Sequence, residues 1–304
     1  MTTQTVTPSA HNQSSPIKRA IRILSVALCT YLCLSVIQPP PTHAIDTLQV
    51  TTTEPILEDR FWTTYDKSSG FAGQVRDLFE DRDGNMWFPT NTGSFQKYDG
   101  LRWTTYKVAD SMLRSARGAE ITQAQDGAMW FVTAEDVHRF DPSAQTEQDA
   151  WTHFDKAHFH EVGFDTTRTP HSATVWGAKD GAVWFGMHWH LPDSSVVGSI
   201  ARYQHGRWQK IRGPANLPDP PVYSIYETRN GAIYFLLDKG ILRFHKGIWA
   251  YITTAEGLGG SNVTTMLEAT DGSLYFTHFR EGISRYHNGN WTTYSDFEYP
   301  AIGL

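Results

Sequence analysis

Cysteine is nearly missing from this chain. Its 304 residues include two, Cys29 and Cys33, both inside one apolar stretch near the N-terminus. Neither a disulfide scaffold nor a thiolate centre can therefore organise the remainder. Charge is sparse as well: 19% of residues are charged, with 26 Lys+Arg against 32 Asp+Glu and a net charge of −6. An acidic balance excludes bulk nucleic-acid binding, which needs clustered bases to displace phosphate counterions. There is no G-x-x-x-x-G-K-[ST] phosphate loop, no G-x-S-x-G nucleophile elbow and no H-E-x-x-H zinc helix. Nothing resembles a kinase catalytic domain. What the chain does have is rings, with Trp 11, Tyr 13 and Phe 16, and turn formers, with Gly 24. That composition points to a turn-rich all-β protein.

The N-terminus reads as an address. Lys18, Arg19 and Arg22 precede an apolar run of 15 residues, Ile23–Ile37, and Gln38-Pro39-Pro40-Pro41 then breaks the run ahead of the small residue Ala44. A basic start, a short apolar centre and a small-residue exit describe a secretory signal over residues 1–44. The run is shorter than the roughly 20 residues of a membrane span. The alternative is an uncleaved N-terminal anchor facing outward. Either way the body, after a linker over 45–56, is expected to be secreted or periplasmic.

Self-similarity dominates the rest. A turn followed by an aromatic pair recurs five times: Asp83-Gly84 with Trp87-Phe88, Asp126-Gly127 with Trp130-Phe131, Asp180-Gly181 with Trp184-Phe185, Asn230-Gly231 with Tyr234-Phe235, and Asp271-Gly272 with Tyr275-Phe276. Turn-to-turn spacings are 43, 54, 50 and 41 residues. Such dipeptides favour tight hairpins in which both central residues take φ > 0. A strand ending in a base and an aromatic follows each pair, with Lys97, Arg139, Arg202, Arg243 and Arg285 as the bases. A Trp-centred strand comes next (Trp103, Trp151, Trp208, Trp249, Trp291), and one further strand precedes each turn. Four strands in some 40–50 residues make a propeller blade, and the repeated rings are the material packed between blades. The blades fall at about 71–106, 114–154, 171–211, 221–252 and 261–294, within a β-propeller domain over 57–304. The repeated bases are expected to sit on solvated strands and pair with nearby acids.

The stretches 83–100 (DGNMWFPTNTGSFQKYDG) and 230–247 (NGAIYFLLDKGILRFHKG) resemble the two-component-regulator propeller repeat, and Glu80-Asp81-Arg82-Asp83-Gly84 is a close match to its acidic turn. The resemblance covers about 57–295. It implies either an extracytoplasmic sensor working with a membrane histidine kinase or a secreted propeller that stands alone. A weaker resemblance, through Asp126–Phe131, Val137–Pro142 and Pro170–Ala173, is to streptogramin lyases, metal-dependent propellers with an essential His-Glu pair. His171 matches one of their histidines, whereas Met187 stands where their Glu would be.

The Trp strand occurs a sixth time at Arg60–Tyr65, mirroring Asn290–Tyr294, with no inner strands of its own. Five complete blades plus an orphan outer strand predict an incomplete or open ring, as from a truncated or split gene or a partner chain. The alternative is a closed five-blade ring with Trp62 added on an outer edge.

In propellers, loops leading into a blade and loops joining its second and third strands share the top face. They assign the candidate ligand site to Glu135, Asp136, His188, Trp189, His190, Asp238, Lys239, Arg280 and Glu281, with Thr90 and Asn91 in the first blade. The inward loops add Arg114, Arg117, His158, His160, Arg168 and His171. His188-x-His190 sets two imidazoles on one side of a strand, a geometry for a divalent metal if His171 or Asp193 joins. His171 is also the candidate catalytic residue under the lyase alternative. The favoured expectation is a non-catalytic sensor module, without cofactor, that takes a small ligand, saccharide or peptide. Its partners would be a membrane histidine kinase or a second propeller chain. A lyase, or a propeller fragment acting as an interaction scaffold, are the alternatives.

Overall fold

The computed structural model describes residues 63–71, 73–75, 77–90, 94–107, 120–133, 136–161, 172–212 and 219–295. The N-terminal segment with both cysteines, together with Trp62, Asn91, Arg114, Arg117, Glu135, Arg168 and His171, lies outside them.

Twenty strands form five four-stranded antiparallel sheets, each taken up in chain order. Blade I is Phe79–Glu80 (β1), Met86–Pro89 (β2), Ser94–Tyr98 (β3) and Trp103–Lys107 (β4). Blade II is Glu120–Gln123 (β5), Met129–Val132 (β6), Val137–Phe140 (β7) and Trp151–Phe154 (β8). Blade III is Ser172–Gly177 (β9), Val183–His190 (β10), Val196–Gln204 (β11) and Arg207–Ile211 (β12). Ser224–Glu227 (β13), Ile233–Leu237 (β14), Gly240–His245 (β15) and Ile248–Ile252 (β16) make blade IV. Blade V is Val263–Glu268 (β17), Leu274–His278 (β18), Gly282–His287 (β19) and Asn290–Tyr294 (β20). Two short helices, Glu147–Ala150 and Lys156–Glu161, flank β8.

The Asp-Gly corners differ from the expected two-residue turn. Only the glycine has positive φ (Gly84 78°, Gly127 89°, Gly181 82°, Gly231 80°, Gly272 83°). The corner is longer, closed by a bond such as Gly84 N–H to Asp81 O at 2.9 Å, so the residue before glycine stays right-handed. Its side chain instead accepts from the amide two residues on, as Asp126 does from Ala128 at 3.0 Å and Asp180 from Ala182 at 3.0 Å. True two-residue turns, with both central φ positive, join the third and fourth strands at His205-Gly206, Lys246-Gly247 and Asn288-Gly289.

The repeated rings pack between blades. Trp87 and Phe95 of blade I meet Ile121 and Phe131 of blade II. Trp130 of blade II packs with Phe185 of blade III, Trp184 of blade III with Phe235 of blade IV, and Tyr234 of blade IV with Phe276 of blade V. Among the described residues no comparable packing joins blade I to blade V. The described part of the sixth Trp segment, Thr63–Tyr65, forms no strand. Tyr65 lies against Tyr98 and Trp103 of blade I, at 5.2 and 5.5 Å between ring centroids, and donates to the Tyr98 hydroxyl at 3.3 Å. The turn that follows it, capped by Asp66 and closed by left-handed Gly70, repeats the Thr253–Gly257 turn that leaves blade IV.

Three of the strand bases pair with the acid of their own corner, as expected, whereas Lys97 of blade I lies over the Trp87 ring at 5.7 Å. Arg139, Arg202 and Arg285 pair with Asp126, Asp180 and Asp271 of their own blades at 3.0, 3.1 and 3.4 Å. In blade IV the corner residue is the neutral Asn230, and Arg243 turns to His245 Nδ1 at 2.9 Å.

A second device crosses between blades at the corner face. The last residue of an innermost strand accepts the amide ahead of the preceding blade's corner: Gln123 from Arg82 at 2.9 Å, Glu227 from Lys179 at 3.1 Å and Glu268 from Arg229 at 2.6 Å. The basic side chain then reaches a corner carbonyl of the next blade, Arg82 to Gln125 O at 2.8 Å and Lys179 to Thr228 O at 3.0 Å, and Arg229 to Ala269 O. At the II–III junction the accepting position is Gly177. A Cβ there would stand 2.3 Å from Gln123 O, and its amide donates to Thr122 Oγ1 at 3.0 Å instead.

Candidate functional site

The innermost strands converge on a cavity of about 780 Å³ bounded by β1, β5, β9 and β13 and the residues beside them. Its wall carries four carboxyls (Asp77, Glu80, Asp81, Glu120), the Arg82 guanidinium, hydroxyls from Thr122, Thr174 and Ser224, and the rings of Phe79, Trp176 and Tyr226. Ile121 and Val175, which also line it, tie the wall to the inter-blade cores.

Glu120 is the most perturbed acid described. Burial pushes its carboxyl up to about 7, and the nearby Asp77 adds to the rise, against hydrogen bonds from Thr174 and Val175 that lower it. Thr174 Oγ1 donates to Glu120 Oε2 at 2.6 Å and the Val175 amide to the same oxygen at 3.3 Å. Asp77 is also raised by burial, although its oxygens accept from the Leu78 amide at 2.8 Å and the Ile121 amide at 3.2 Å. A carboxyl just ahead of β1 and one that opens β5 thus share a desolvated wall, and Glu120 changes charge near neutral pH. Trp176 and Tyr226, on β9 and β13 of the same wall, stand 6.0 Å apart. Their rings supply an apolar platform beside the acids, and the Tyr226 hydroxyl is held by Thr265 at 2.9 Å.

None of the described loop residues read from the sequence lines this cavity. His188 is buried, its Nδ1 lies 3.3 Å from Val222 O, and its ring rests 4.4 Å from that of Tyr223. His190 lies on the same side of β10, at 5.8 Å between ring centroids. Asp193 is exposed and accepts from Ser195 Oγ at 2.6 Å, closing its own turn. His188, His190 and Asp193 therefore do not assemble as metal ligands among the described residues, because the turn at 191–195 carries the carboxylate away. Trp189 lines a separate cavity of about 230 Å³ with Lys210 and Asp219. Asp238 raises the nearby hydroxyls of Tyr223 and Tyr251, adding to the effect of their burial, and the Lys239 carbonyl accepts from Tyr251 at 2.8 Å. Arg280 covers the exposed Phe279 ring at 4.9 Å, and Glu281 accepts the Ser261 amide at 2.8 Å. Exposed His158 pairs with Asp155 at 2.8 Å. Thr90 is buried and bonds Ser94 O at 2.9 Å, a structural role.

One described group of side chains has the make-up of a metal site. Asp136, His138 and His153 place one donor atom each within 4.8 Å of one another. Asp136 is the only residue of this trio read from the sequence. His138 and His153 were missed because they lie inside strands, although the register that pairs them follows from the repeat.

Five four-stranded antiparallel sheets packed face to face through their repeated rings define a β-propeller architecture. Residues 69–91 match the Two component regulator propeller family, which the corner and ring pattern already resembled. No curated protein sequence matches the chain. Its fold is similar to that of the extracellular domain of a one component system from B. thetaiotaomicron, at 16% identity and a TM-score of 0.52, over 77% of this chain and 32% of that one. The extracellular domain of a hybrid two component system from the same organism matches at 16% identity and a TM-score of 0.43, over 78% and 37% of the two chains. A calcium-binding protein, regucalcin, from Agrobacterium tumefaciens matches at 15% identity and a TM-score of 0.43, over 72% and 75%. The chain thus spans about a third of the length of the two B. thetaiotaomicron domains.

Proposed function

We propose that this protein is a sensor-type, non-catalytic propeller of the two component regulator kind, secreted or periplasmic, that takes a saccharide in its central cavity. The observation that carries the reading is the cavity wall itself: a near-neutral carboxyl, Glu120, beside Asp77 and Thr174, in one lining with the Trp176 and Tyr226 rings. Carboxyls and hydroxyls exchange hydrogen bonds with vicinal hydroxyl groups, and aromatic faces cover the apolar face of a sugar ring. No histidine lines the cavity among the described residues, so acid–base chemistry there would fall to carboxyls alone. The top-face rim of Asp238, Lys239, Arg280 and Glu281, which does not line the cavity, is left for a partner to read. The family match and the likeness to an extracellular sensor domain support placement outside the cytoplasm. No helix among the described residues is long and apolar enough to cross a membrane. Its partner in signalling would be a membrane histidine kinase or a second propeller chain.

Thermal melts against a panel of soluble neutral and acidic oligosaccharides test this. A neutral or amino sugar is expected to raise the midpoint in the native protein and to lose the effect in Glu120→Ala. A shift that persists in Glu120→Ala, or none across the panel, would overturn the assignment.

A further inference from the structure

Away from the hub, the outer half of blade II holds a second constellation with its own logic. His138 of β7 and His153 of β8 are register partners on adjacent antiparallel strands, so their side chains project together from one face. Their rings are parallel within 9° at 4.7 Å between centroids. Asp136 immediately precedes β7, and its Oδ1 lies 3.3 Å from His153 Nε2. That approach lacks the alignment of a hydrogen bond, since His153 Nε2 is buried without a hydrogen-bond partner. A carboxylate oxygen and an imidazole nitrogen that face each other without sharing a hydrogen are placed as two ligands of one cation would be. Asp136 is also fixed from behind: its amide donates to Thr133 Oγ1 at 3.1 Å and its carbonyl accepts the Thr133 amide at 2.9 Å. The trio is thus carried by two strands and a closed turn, and it stays open to solvent on one side, with Asp136 and His153 side chains 21% and 26% exposed.

The repeat supplies an internal control. The same three register positions hold Ser94, Gln96 and Thr105 in blade I, and Ser199, Ala201 and Lys210 in blade III. Blades IV and V have Gly240, Leu242, Tyr251 and Gly282, Ser284, Thr293 there. Four copies of the blade fold without one potential metal ligand of the His/Asp type at these places, so blade architecture does not require the trio. From this we infer that Asp136, His138 and His153 form a divalent transition-metal site, with Zn²⁺ as the ion that two imidazoles and one carboxylate suit, and a fourth position left to water. Both nitrogens reach one ion only when the rings turn out of their parallel stack about χ2. Ca²⁺ and Mg²⁺, which need more oxygen ligands, do not fit.

The test uses the purified protein stripped of metal and titrated with ZnCl₂, with bound zinc counted by elemental analysis and affinity read by calorimetry. The blade comparison chooses substitutions the fold already tolerates: His153→Thr, as in blades I and V, and Asp136→Ser, as in blades I and III. The native protein is expected to hold one equivalent of zinc and no calcium. Each variant is expected to lose at least tenfold in affinity while keeping the native melting midpoint in the absence of metal. His190→Ala is expected to bind as the native protein does. Zinc held equally well by both blade-II variants, zinc lost in His190→Ala, or no stoichiometric zinc at micromolar concentration would each overturn the assignment.

Discussion

Thr174 Oγ1 donates to Glu120 Oε2 across the hub at 2.6 Å, so the innermost strands of blades II and III are joined through a carboxyl that titrates near neutrality. This bond lies on the cavity wall and couples its protonation to the packing of the blades. Glu120 has its usual value, 4.5, when unfolded and about 7 when folded, so the folded protein keeps a proton that the unfolded chain gives up. Its contribution to stability is complete below about 4.5 and is lost as the pH climbs to about 7. Glu120→Gln removes that loss. Relative to native protein the variant should gain on the order of 1–3 kcal/mol between pH 4.5 and 8. Denaturant melts across that range check it, and a pH-independent difference would contradict it.

Thr174→Val deletes a donor to the charged form of Glu120 while keeping the shape of the side chain. The carboxyl should then titrate higher still, as seen by carbon NMR of the labelled glutamate. The protein should lose about 1–2 kcal/mol at pH 8, where the anion has lost its hydroxyl partner.

Gly177→Ala tests a close approach between blades II and III. The added carbon would lie 2.3 Å from the Gln123 carbonyl oxygen, a backbone atom that cannot swing away. A loss of about 2–4 kcal/mol is expected, with reduced soluble yield. Gly127→Ala, at a corner with open space around it but φ of 89°, should lose less, about 1 kcal/mol, from backbone strain alone.

The relay between neighbouring corners can be cut at Glu227, which accepts the Lys179 amide. Glu227→Leu leaves that amide without its carboxylate and should cost about 1–2 kcal/mol in urea melts. Removing an exposed corner pair, as in Arg202→Gln, should cost at most about 1 kcal/mol.

Much of the fold was legible because the signals repeat: one ring pair, one strand base and one Gly corner per blade locate all five sheets. The corner geometry was misjudged because Asp-Gly also serves longer turns in which only glycine is left-handed, and the dipeptide alone does not separate the two. The candidate site was less legible. Attention went to loops, whereas Asp77, Glu120 and Thr174 lie on or beside the innermost strands, where a hub wall must be. A Glu opening the strand Glu120–Gln123 was the available sign. His188 looked like a ligand by its spacing to His190, but its ring packs on Tyr223 in the interface between blades III and IV. His138 and His153 are fifteen residues apart and meet only through strand register, which sequence spacing hides.

The central claim is that the hub cavity around Glu120 binds the ligand. Calorimetric titration with the panel oligosaccharide giving the largest thermal shift tests it most directly, comparing native protein, Glu120→Ala and the rim variant Asp238→Asn. The account predicts saturable binding at one site, weakened at least tenfold in Glu120→Ala and less than threefold in Asp238→Asn. Undiminished binding in Glu120→Ala would contradict it.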